Sequence, residues 1–485
     1  QRFAGDRVGI MLPASVAADV VYLACLFAGK TPVMVNWTTG SRDIQHALDS
    51  LGVRHVLTAG PLVSRIEAQG TDLSAVKDRL VLLEKLRGEI SIGTKLRALV
   101  ASRLSWASLR ATRISPVAAI LLTSGSETRP KAVPLTHANM LGNLRDVFKV
   151  VRIYHDDCLI GFLPPFHSFG LTVTMLLPLV AGARVAYYAN PTDGPMLARM
   201  IEAYRASMLV GTPTFLAGIV RAAKPGQLDS LRLAVTGAEK CTERTYEAIA
   251  ERCPNATILE GYGITECSPI VAVNDDQQPQ AYTIGKVMPS LEYAIVDSDT
   301  WQSVGPGKVR EGIPAPAGGG LGETGLLLVR GPTVFGGYLN TDVESPFVEY
   351  NGKQWYRTGD LVSQDDSGVL TFRGRLKRFV KIAGEMVSLP AIEAALEPQY
   401  SSATDEGPVL AVEATPSENH PELVLFTTKS VDRHTVNRQI RDAGLSPLHN
   451  IGRVIRLEAI LVLGTGKTNY RALKQMLAEP PTSPQ

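Results

Sequence analysis

Short apolar runs alternate with helix-type patterns along the first half of the chain. The first runs are RVGIML (7–12), TPVMVNW (31–37) and RHVLTA (54–59), with helical patterns beginning near Ser15 and Ser41. Such alternation is typical of βαβ units around a parallel sheet. It resumes after a break, in the runs VAAILL, DCLIGFL, RASMLVG, LRLAVTG and ATILEG. We therefore predict an α/β fold whose large N-terminal part contains two doubly wound sheets.

The pattern changes after Pro289. The runs LEYAIVD, TGLLLVRG and GVLTFRG are joined by Gly- and Pro-rich connections, which predicts a small antiparallel β unit. Strands at VLAVEA and LVLFTT, a helix near 433–443 and a closing helix after Asn469 predict a small α+β domain at the end. We place the boundary near Lys377, which gives domains 1–376 and 377–485, and we expect the tail AEPPTSPQ to be disordered.

Composition narrows the class of protein. A chain of 485 residues exceeds the roughly 250 to 300 residues at which a single core stops growing, so two or three compact units are expected. With 45% hydrophobic and 20% charged residues and a net charge of +2, it resembles an ordinary globular protein without a nucleic-acid-binding stripe. Its five cysteines form no CxxC pair, which disfavours disulfides and zinc and fits a reducing cytoplasm.

One uncharged stretch, residues 158–183, is long enough to raise the question of a membrane span. Pro164, Pro165, Gly170 and Pro178 interrupt it, so we interpret it as a buried strand, a loop and a core helix. The sequence begins at Gln1 without an initiator methionine, and we expect it to be an excerpt of a longer protein.

Five unusual segments follow predicted strands. They are TSGS, PPFHSFG, GTPT, TGAEK and GYGITE. Because ligands of open α/β sheets bind beyond the carboxyl ends of the strands, we expect these five loops to converge on one crevice.

The first of these loops has the parts of a phosphate site. Glycine allows close backbone approach, hydroxyls and amides donate hydrogen bonds, and Lys131 adds positive charge. The loop is not a Walker A sequence, because it lacks the second glycine and Ala132 stands where Ser or Thr would bind magnesium. The alternative is a plain turn.

Three further segments suggest nucleotide chemistry. Thr265 and Glu266 in GYGITE suit a phosphate oxygen and a magnesium ion, unless Glu266 is simply a solvated acid. A hairpin turning at DDSG would place Asp360 beside Arg375, as a ribose clasp or as a surface ion pair. Lys467 on the turn LGTGKTNY would present a cation to a cleft, or be an ordinary exposed lysine.

In this order and spacing, the loops resemble the adenylate-forming superfamily of acyl-CoA synthetases, luciferase-like enzymes and adenylation domains. The resemblance covers nearly the whole chain. It implies that a carboxylate attacks the α-phosphate of ATP, with Mg²⁺ required, to give acyl-AMP and pyrophosphate before a thiol takes the acyl group. A placed cation such as Lys467 would stabilise the charge that develops at phosphorus.

The resemblance also implies roles for individual residues. The pyrophosphate loop would comprise Thr123, Ser124, Gly125, Ser126 and Lys131. The adenine and the acyl carboxylate would contact Gly237, Ala238 and Glu239, with Tyr262 and Gly263 continuing the nucleotide pocket. Thr265 would meet the α-phosphate, Glu266 the magnesium, and Asp360 with Arg375 the ribose. Lys377 would be the hinge, Lys467 the catalytic lysine and His167 the mouth of the acyl tunnel.

Within the superfamily, TPVMVNW, GYGITECSPIVAVN and GRLKRFVKIAGEMVSLPAIE most resemble bacterial acyl-acyl-carrier-protein synthetases. That resemblance implies a fatty acid substrate and holo acyl carrier protein as acceptor. Bifunctional members have a preceding glycerophospholipid acyltransferase domain, sometimes with a transporter, which would place the protein at the inner face of the cell membrane. Alternatives are a long-chain fatty acid–CoA ligase, a fatty acyl-AMP ligase and, in another class, a degenerate nucleotide-binding module.

Two features lead to further expectations. Glu127, Thr128 and Ala132 stand where the family loop has Thr, Gly and Gly, so a stiffer or shifted loop and altered ATP affinity are expected. Arg378 and Lys381 beside the hinge are candidates for docking an acidic carrier protein, with a solvated basic strand as the alternative.

Overall fold

The computed structural model describes the chain except for a few segments. These are residues 1–4, 69–70, 124–129, 306–322, 341–342, 383–384, 403–404, 406, 417–420, 463–467 and 479–485. The predicted disordered tail apart from Ala478, which ends the last helix, lies outside the described residues, as do most of the first phosphate loop and Lys467.

The first sheet has six strands in the order β4-β3-β1-β2-β5-β6. Its strands are β1 Arg7–Ile10, β2 Thr31–Met34, β3 Val56–Thr58, β4 Leu80–Leu82, β5 Val117–Thr123 and β6 Lys131–Thr136. The associated helices are α1 Val16–Phe27, α2 Ser41–Ser50, α3 Gly60–Ala68, α4 Leu83–Glu89, α5 Ile92–Leu104 and α6 Ala107–Arg110. All pairs are parallel except β5 with β6, which are antiparallel.

The second sheet has seven strands in the order β13-β12-β11-β10-β9-β7-β8. Its strands are β7 Cys158–Gly161, β8 Arg184–Tyr187, β9 Met208–Gly211, β10 Leu233–Gly237, β11 Thr257–Gly263, β12 Ile270–Val273 and β13 Lys286–Val287. The helices nearby in sequence are α7 His137–Val150, α8 Leu177–Ala181, α9 Gly194–Tyr204, α10 Pro213–Ala222 and α11 Glu243–Arg252. The strands from β7 to β11 run parallel, and β12 and β13 add an antiparallel edge.

The remaining strands form smaller sheets. A five-stranded sheet contains β14 Glu292–Val296, β15 Gly325–Arg330, β16 Phe347–Tyr350, β17 Lys353–Gln364 and β18 Leu370–Arg375. A two-stranded sheet follows with β19 Phe379–Ile382 and β20 Glu385–Ser388, and a three-stranded sheet with β21 Leu410–Ala414, β22 Leu423–Thr427 and β23 Arg453–Arg456. The C-terminal helices are α12 Leu389–Tyr400, α13 Arg433–Asp442 and α14 Tyr470–Ala478. The predicted fold class is confirmed.

The chain divides into two compact units. The first comprises Gln1–Glu292 and Val329–Tyr356, and the second Tyr293–Leu328 and Arg357–Gln485. The predicted boundary near Lys377 is a hinge about which the C-terminal domain would move. A division by compactness does not test such a motion, so this boundary stays a prediction.

Local sequence explains where several elements begin. Ser15, Thr212 and Asp432 are N-caps whose side chains accept backbone N–H groups of the first turns of α1, α10 and α13. At the DDSG turn, the Asp365 carboxylate accepts from the backbone N–H groups of Ser367 and Val369, each at 2.9 Å. The turn sets the register as far as Val362 with Phe372, and a bulge between Leu361 and Val362 then shifts the ladder by one residue, so that Asp360 lies opposite Arg375.

The uncharged stretch at 158–183 is not a membrane span. It forms β7, a loop, a π-helical segment Gly170–Leu176 and the short helix α8, as interpreted from its prolines. Among the residues that the structure describes, no helix is long and apolar enough to cross a bilayer.

Candidate functional site

Four of the five predicted loops leave the same edge of the second sheet. Strands β7, β9, β10 and β11 are parallel neighbours, so the segments PPFHSFG, GTPT, TGAEK and GYGITE all follow carboxyl ends there. The fifth loop follows β5 of the first sheet and returns along β6. Thr123 and Lys131 pair across that ladder and flank the loop on either side. Ser124, Gly125 and Ser126 lie outside the described residues.

A tyrosine that the sequence analysis missed joins the two sheets. The Tyr338 hydroxyl donates a hydrogen bond of 2.7 Å to Glu266 Oε1. The Lys131 ammonium lies 5.0 Å from the centre of the same ring, within cation–π range. Burial raises the pKa of Tyr338, and the charge of Glu266 raises it further, so the hydroxyl stays a donor. The Tyr338 side chain therefore contacts the Lys131 cation with its ring and the Glu266 carboxylate with its hydroxyl.

The segment around Tyr338 also fixes the start of β6. The backbone N–H of Ala132 donates to Asn340 Oδ1 at 2.6 Å, and the N–H of Leu339 donates to the Ala132 carbonyl at 3.0 Å. Ala132 is buried within β6 and pairs with Leu122 in extended backbone. A residue in an extended strand needs no left-handed conformation, so Ala132 carries no cost of that kind, and the expected change in the loop and in ATP affinity stays a prediction. Glu127 and Thr128 lie outside the described residues.

Thr265 begins a short 3-10 turn, Thr265–Cys267, directly after β11. Its hydroxyl lies 3.1 Å from that of Ser168, next to His167 in the loop after β7. Gly263 has no space for a side chain, since a Cβ there would lie 2.5 Å from the Pro269 carbonyl oxygen. The turn thus places the Thr265 hydroxyl against the loop that carries His167.

The loop after β10 contains a strained residue. Ala238 adopts φ +68°, a left-handed conformation that costs a non-glycine residue about 1 to 2 kcal/mol. Its neighbour Glu239 accepts a hydrogen bond of 2.8 Å from Thr214 in α10. Such strain is concentrated at functional sites, where surrounding structure holds it in place.

Aromatic side chains surround His167, and a buried carboxyl group lies near Tyr262. The His167 ring lies 4.5 Å from that of Phe166, which packs edge-on against Trp37 at 4.4 Å. Glu260, two residues before Tyr262 on β11, is buried, and this burial raises its pKa to about 7 despite a hydrogen bond of 2.8 Å from the Tyr282 N–H. A carboxyl group that titrates near neutrality therefore lies beside the predicted nucleotide residues.

The arrangement of a lysine, a glutamate and hydroxyls at sheet edges suits an anionic nucleotide, and comparison with known proteins decides the family. A family model described as AMP-binding enzyme matches residues 3–339. The chain belongs to the AMP-binding enzyme family.

Relatives of this AMP-binding enzyme include the long-chain-fatty-acid–CoA ligases of Salmonella typhi and Yersinia pestis. Each is 27% identical over 500 residues, covering 94% of this chain and 85% or 84% of the relative. Among solved structures, ATP-bound MatB from Rhodopseudomonas palustris is similar with a TM-score of 0.72 at 22% identity, covering 98% of this chain and 89% of that one. The Bacillus subtilis o-succinylbenzoate CoA synthetase in complex with its acyl-adenylate has a TM-score of 0.75 at 18% identity, covering 99% and 90%. These structural similarities support the fold.

The second compact unit of the AMP-binding enzyme carries the other predicted residues. Arg375 Nε lies 3.2 Å from Asp360 Oδ1, with the carboxylate side chain 1% exposed and the arginine 64% exposed. This pair differs from an ordinary surface ion pair, because its acid is buried. Lys377 is exposed on a 3-10 turn, Leu376–Arg378, that connects β18 with β19. Lys467 lies outside the described residues.

Arg378 does not lie where the docking hypothesis needs it. Its guanidinium contacts the carboxylates of Glu393, at 2.7 Å, and Glu413, and stacks 3.7 Å from the ring centre of Tyr470. The side chain is only 13% exposed. Arg378 is therefore an internal ion-pair partner and not a surface cation for a carrier protein. The side chain of Lys381 lies outside the described residues.

Sequence reasoning missed Tyr338, Ser168 and Asn340. Tyr338 lies in the segment FGGYLN between two strands of the antiparallel unit, far in sequence from the nucleotide loops. Two consecutive glycines before an aromatic residue were an available signal for a functional loop, but nothing in the sequence indicated its partners.

Proposed function

We propose that the protein activates a fatty acid with ATP and transfers the acyl group to a phosphopantetheine thiol. In the first step a carboxylate oxygen of the acid attacks the α-phosphorus of ATP, and the bond to the leaving pyrophosphate breaks. In the second step the thiol sulfur attacks the acyl carbon, loses its proton, and AMP leaves. Membership of the AMP-binding family and the names of the relatives support this proposal.

The observation that carries the proposal is the Lys131–Tyr338–Glu266 arrangement, with Thr265 and Ser168 beside it. Lys131 supplies positive charge near the flanks of the phosphate loop, and the hydroxyls of Thr265 and Ser168 can donate to phosphate oxygens. Because the substrate's own carboxylate is the nucleophile, the protein's task is to position the reactants and stabilise the developing charge.

Glu266 is the residue that would hold Mg²⁺. Tyr338 binds one oxygen of this half-buried carboxylate, and no cluster of three metal-ligating side chains occurs among the described residues. A single carboxylate fits Mg²⁺, which is usually held by one or two carboxylates plus substrate phosphates. When bound, the ion would neutralise phosphate charge, while Tyr338 keeps the Glu266 carboxylate oriented.

Other roles follow from the family resemblance. We propose that Gly237, Ala238 and Glu239, with Tyr262 and Gly263, form the adenine side of the pocket. Asp360 would accept hydrogen bonds from the ribose hydroxyls with Arg375 beside it, and His167 would lie at the mouth of the acyl tunnel. Lys467 would contact the reacting phosphate and Lys377 would be the hinge.

The acyl acceptor has two candidates. The acyl-carrier-protein synthetase resemblance of GYGITECSPIVAVN and GRLKRFVKIAGEMVSLPAIE favours holo carrier protein. The names of the similar CoA ligases favour coenzyme A, which carries the same phosphopantetheine arm. Burial of Arg378 removes one argument for carrier docking, so the acceptor is decided by comparing both thiols in one assay.

The first test is acid-dependent exchange of labelled pyrophosphate into ATP across fatty acids of different length. We expect exchange with wild type, its abolition by Lys467→Ala, and unchanged exchange in the exposed control Lys224→Ala. Thioester formation from supplied acyl-AMP should largely survive Lys467→Ala. Absence of exchange in wild type with any fatty acid would refute the proposal and favour the degenerate module.

A further inference from the structure

One helical segment of the first compact unit is almost entirely exposed to solvent. We call residues 83–114, which contain α4, α5 and α6, the exposed arm. All thirteen residues of α5 are exposed, and neither α4 nor α5 contains a buried residue. Eight of the 21 exposed large hydrophobic side chains of the described chain belong to this arm. They are Ile90, Ile92, Leu96, Leu99, Val100, Leu104, Trp106 and Ile114.

The apolar residues of α5 share one side. Ile92, Leu96, Leu99, Val100 and Leu104 recur at helical spacing and cover an arc of about 140°, at 100° per residue. Their exposed fractions run from 54% to 79%. A helix of this length is marginal in water without tertiary packing, and so a surface that covers this side would stabilise it.

The charged residues of the arm indicate what kind of surface would bind α5. Between Glu89 and Glu127 the sequence has five basic residues and no acidic one. On α5, Lys95 and Arg97 flank the apolar arc and Arg103 falls inside it. In an apolar protein groove Arg103 would be buried without a partner, which is costly. At a lipid–water boundary it can extend its aliphatic stem along the apolar layer and reach headgroup phosphates.

Both ends of the arm are attached to the body of the first unit. The Glu84 carboxylate accepts a hydrogen bond of 3.1 Å from the Gly60 N–H at the start of α3. At the other end the Arg113 carbonyl packs against Gly29, where a Cβ would lie only 2.9 Å away. A surface bound by α5 would therefore hold the whole unit close to it.

We propose that the exposed arm binds the surface of a bilayer that contains anionic phospholipids, with α5 lying in the plane of the headgroups. Leucines and a tryptophan next to lysines and arginines are typical of interfacial helices. A second copy of the chain is disfavoured because it would bring the five basic residues of one copy against the same five of the other. The proposal does not rest on the acyl acceptor, since it uses none of the predicted nucleotide residues.

The test measures binding of the 485-residue chain to vesicles by co-sedimentation. Vesicles of phosphatidylcholine alone are compared with vesicles containing phosphatidylglycerol. Arg97→Glu with Arg103→Glu should weaken binding to anionic vesicles about a hundredfold at low salt. Leu96→Ser with Leu99→Ser should weaken it about tenfold or more. The control is Leu141→Ser with Arg145→Glu, which makes one change of each kind on the exposed side of α7.

Tryptophan fluorescence gives a second readout at the arm itself. Trp106 is 55% exposed, so its emission should shift to shorter wavelength when anionic vesicles are added, and Trp106→Phe should remove the shift. Pyrophosphate exchange without vesicles should be the same in the arm variants as in wild type, which separates a folding defect from lost binding.

Three results would overturn the proposal. The first is that wild type does not bind anionic vesicles, and the second is that the α7 control weakens binding as much as the arm variants. The third is that the arm variants instead abolish a dimer or the binding of holo carrier protein, with vesicle binding unchanged. Failure of pyrophosphate exchange with intact vesicle binding would refute the proposed function and leave this inference standing.

Discussion

Replacing Tyr338 by Phe separates the hydrogen bond of this side chain from the packing of its ring. The phenylalanine keeps the ring beside Lys131 and against Phe335, whose ring centre is 4.9 Å away. Only the hydroxyl that donates to Glu266 at 2.7 Å is removed. A bond of this kind, to a charged acceptor, contributes about 1.5 to 3 kcal/mol.

That energy sets the expected effect. If the bond orients Glu266 for the metal and the phosphates, then its loss should lower acid-dependent pyrophosphate exchange about 10- to 100-fold. The Mg²⁺ concentration for half-maximal exchange should rise in parallel. The melting temperature should also fall, because the buried Tyr356 hydroxyl donates to the Tyr338 oxygen and loses this acceptor, at a cost of about 1 to 3 kcal/mol. The rise in the Mg²⁺ requirement is therefore the readout that is specific to Glu266.

Two further variants sharpen the assay. Tyr338→Leu also removes the ring, so exchange should fall by a further few-fold as the cation–π contact of about 0.5 to 1 kcal/mol is lost. Tyr204→Phe removes an exposed hydroxyl at the end of α9 and should match wild type. Wild-type exchange and an unchanged Mg²⁺ requirement in Tyr338→Phe would refute the positioning of Glu266 by Tyr338.

Three predictions concern stability, each measured by urea unfolding. Burial raises the pKa of Asp19 to about 6 from 3.8, although its hydrogen bond from Tyr187 opposes this. Wild-type stability should therefore fall as pH rises from 4 to 6, and Asp19→Asn should be more stable by about 2 kcal/mol at pH 8 but not at pH 4. Arg378→Met should cost about 3 to 5 kcal/mol because it leaves the carboxylates of Glu393 and Glu413 unpaired, and a neutral result would contradict the internal network. Ala238→Gly should add about 0.5 to 1 kcal/mol by relieving the left-handed backbone, and a loss would show that no strain is stored there.

Local sequence was sufficient for the secondary structure and for one site contact. Helix and strand periods are encoded over a few residues, so the strands at VAAILL and LRLAVTG and the helix beginning near Ser15 were found where predicted. The hairpin that brings Asp360 near Arg375 was predictable for the same reason, from the four-residue turn at DDSG, whereas the final pairing also depends on a bulge between Leu361 and Val362 that shifts the ladder by one residue.

Contacts between distant segments required the tertiary structure. The order of strands in the sheets decides that four loops share one edge, while Tyr338 contacts both Lys131 of the first sheet and Glu266 after the second. Tyr338 and Glu266 are 72 positions apart, and no local pattern encodes their meeting. Arg378 shows the same limit, because a basic residue on a turn between two strands can face water or two carboxylates, and only packing decides between them. Sequence periodicity determines which face of an element is apolar, whereas the pairing of polar groups depends on which elements the packed core brings together.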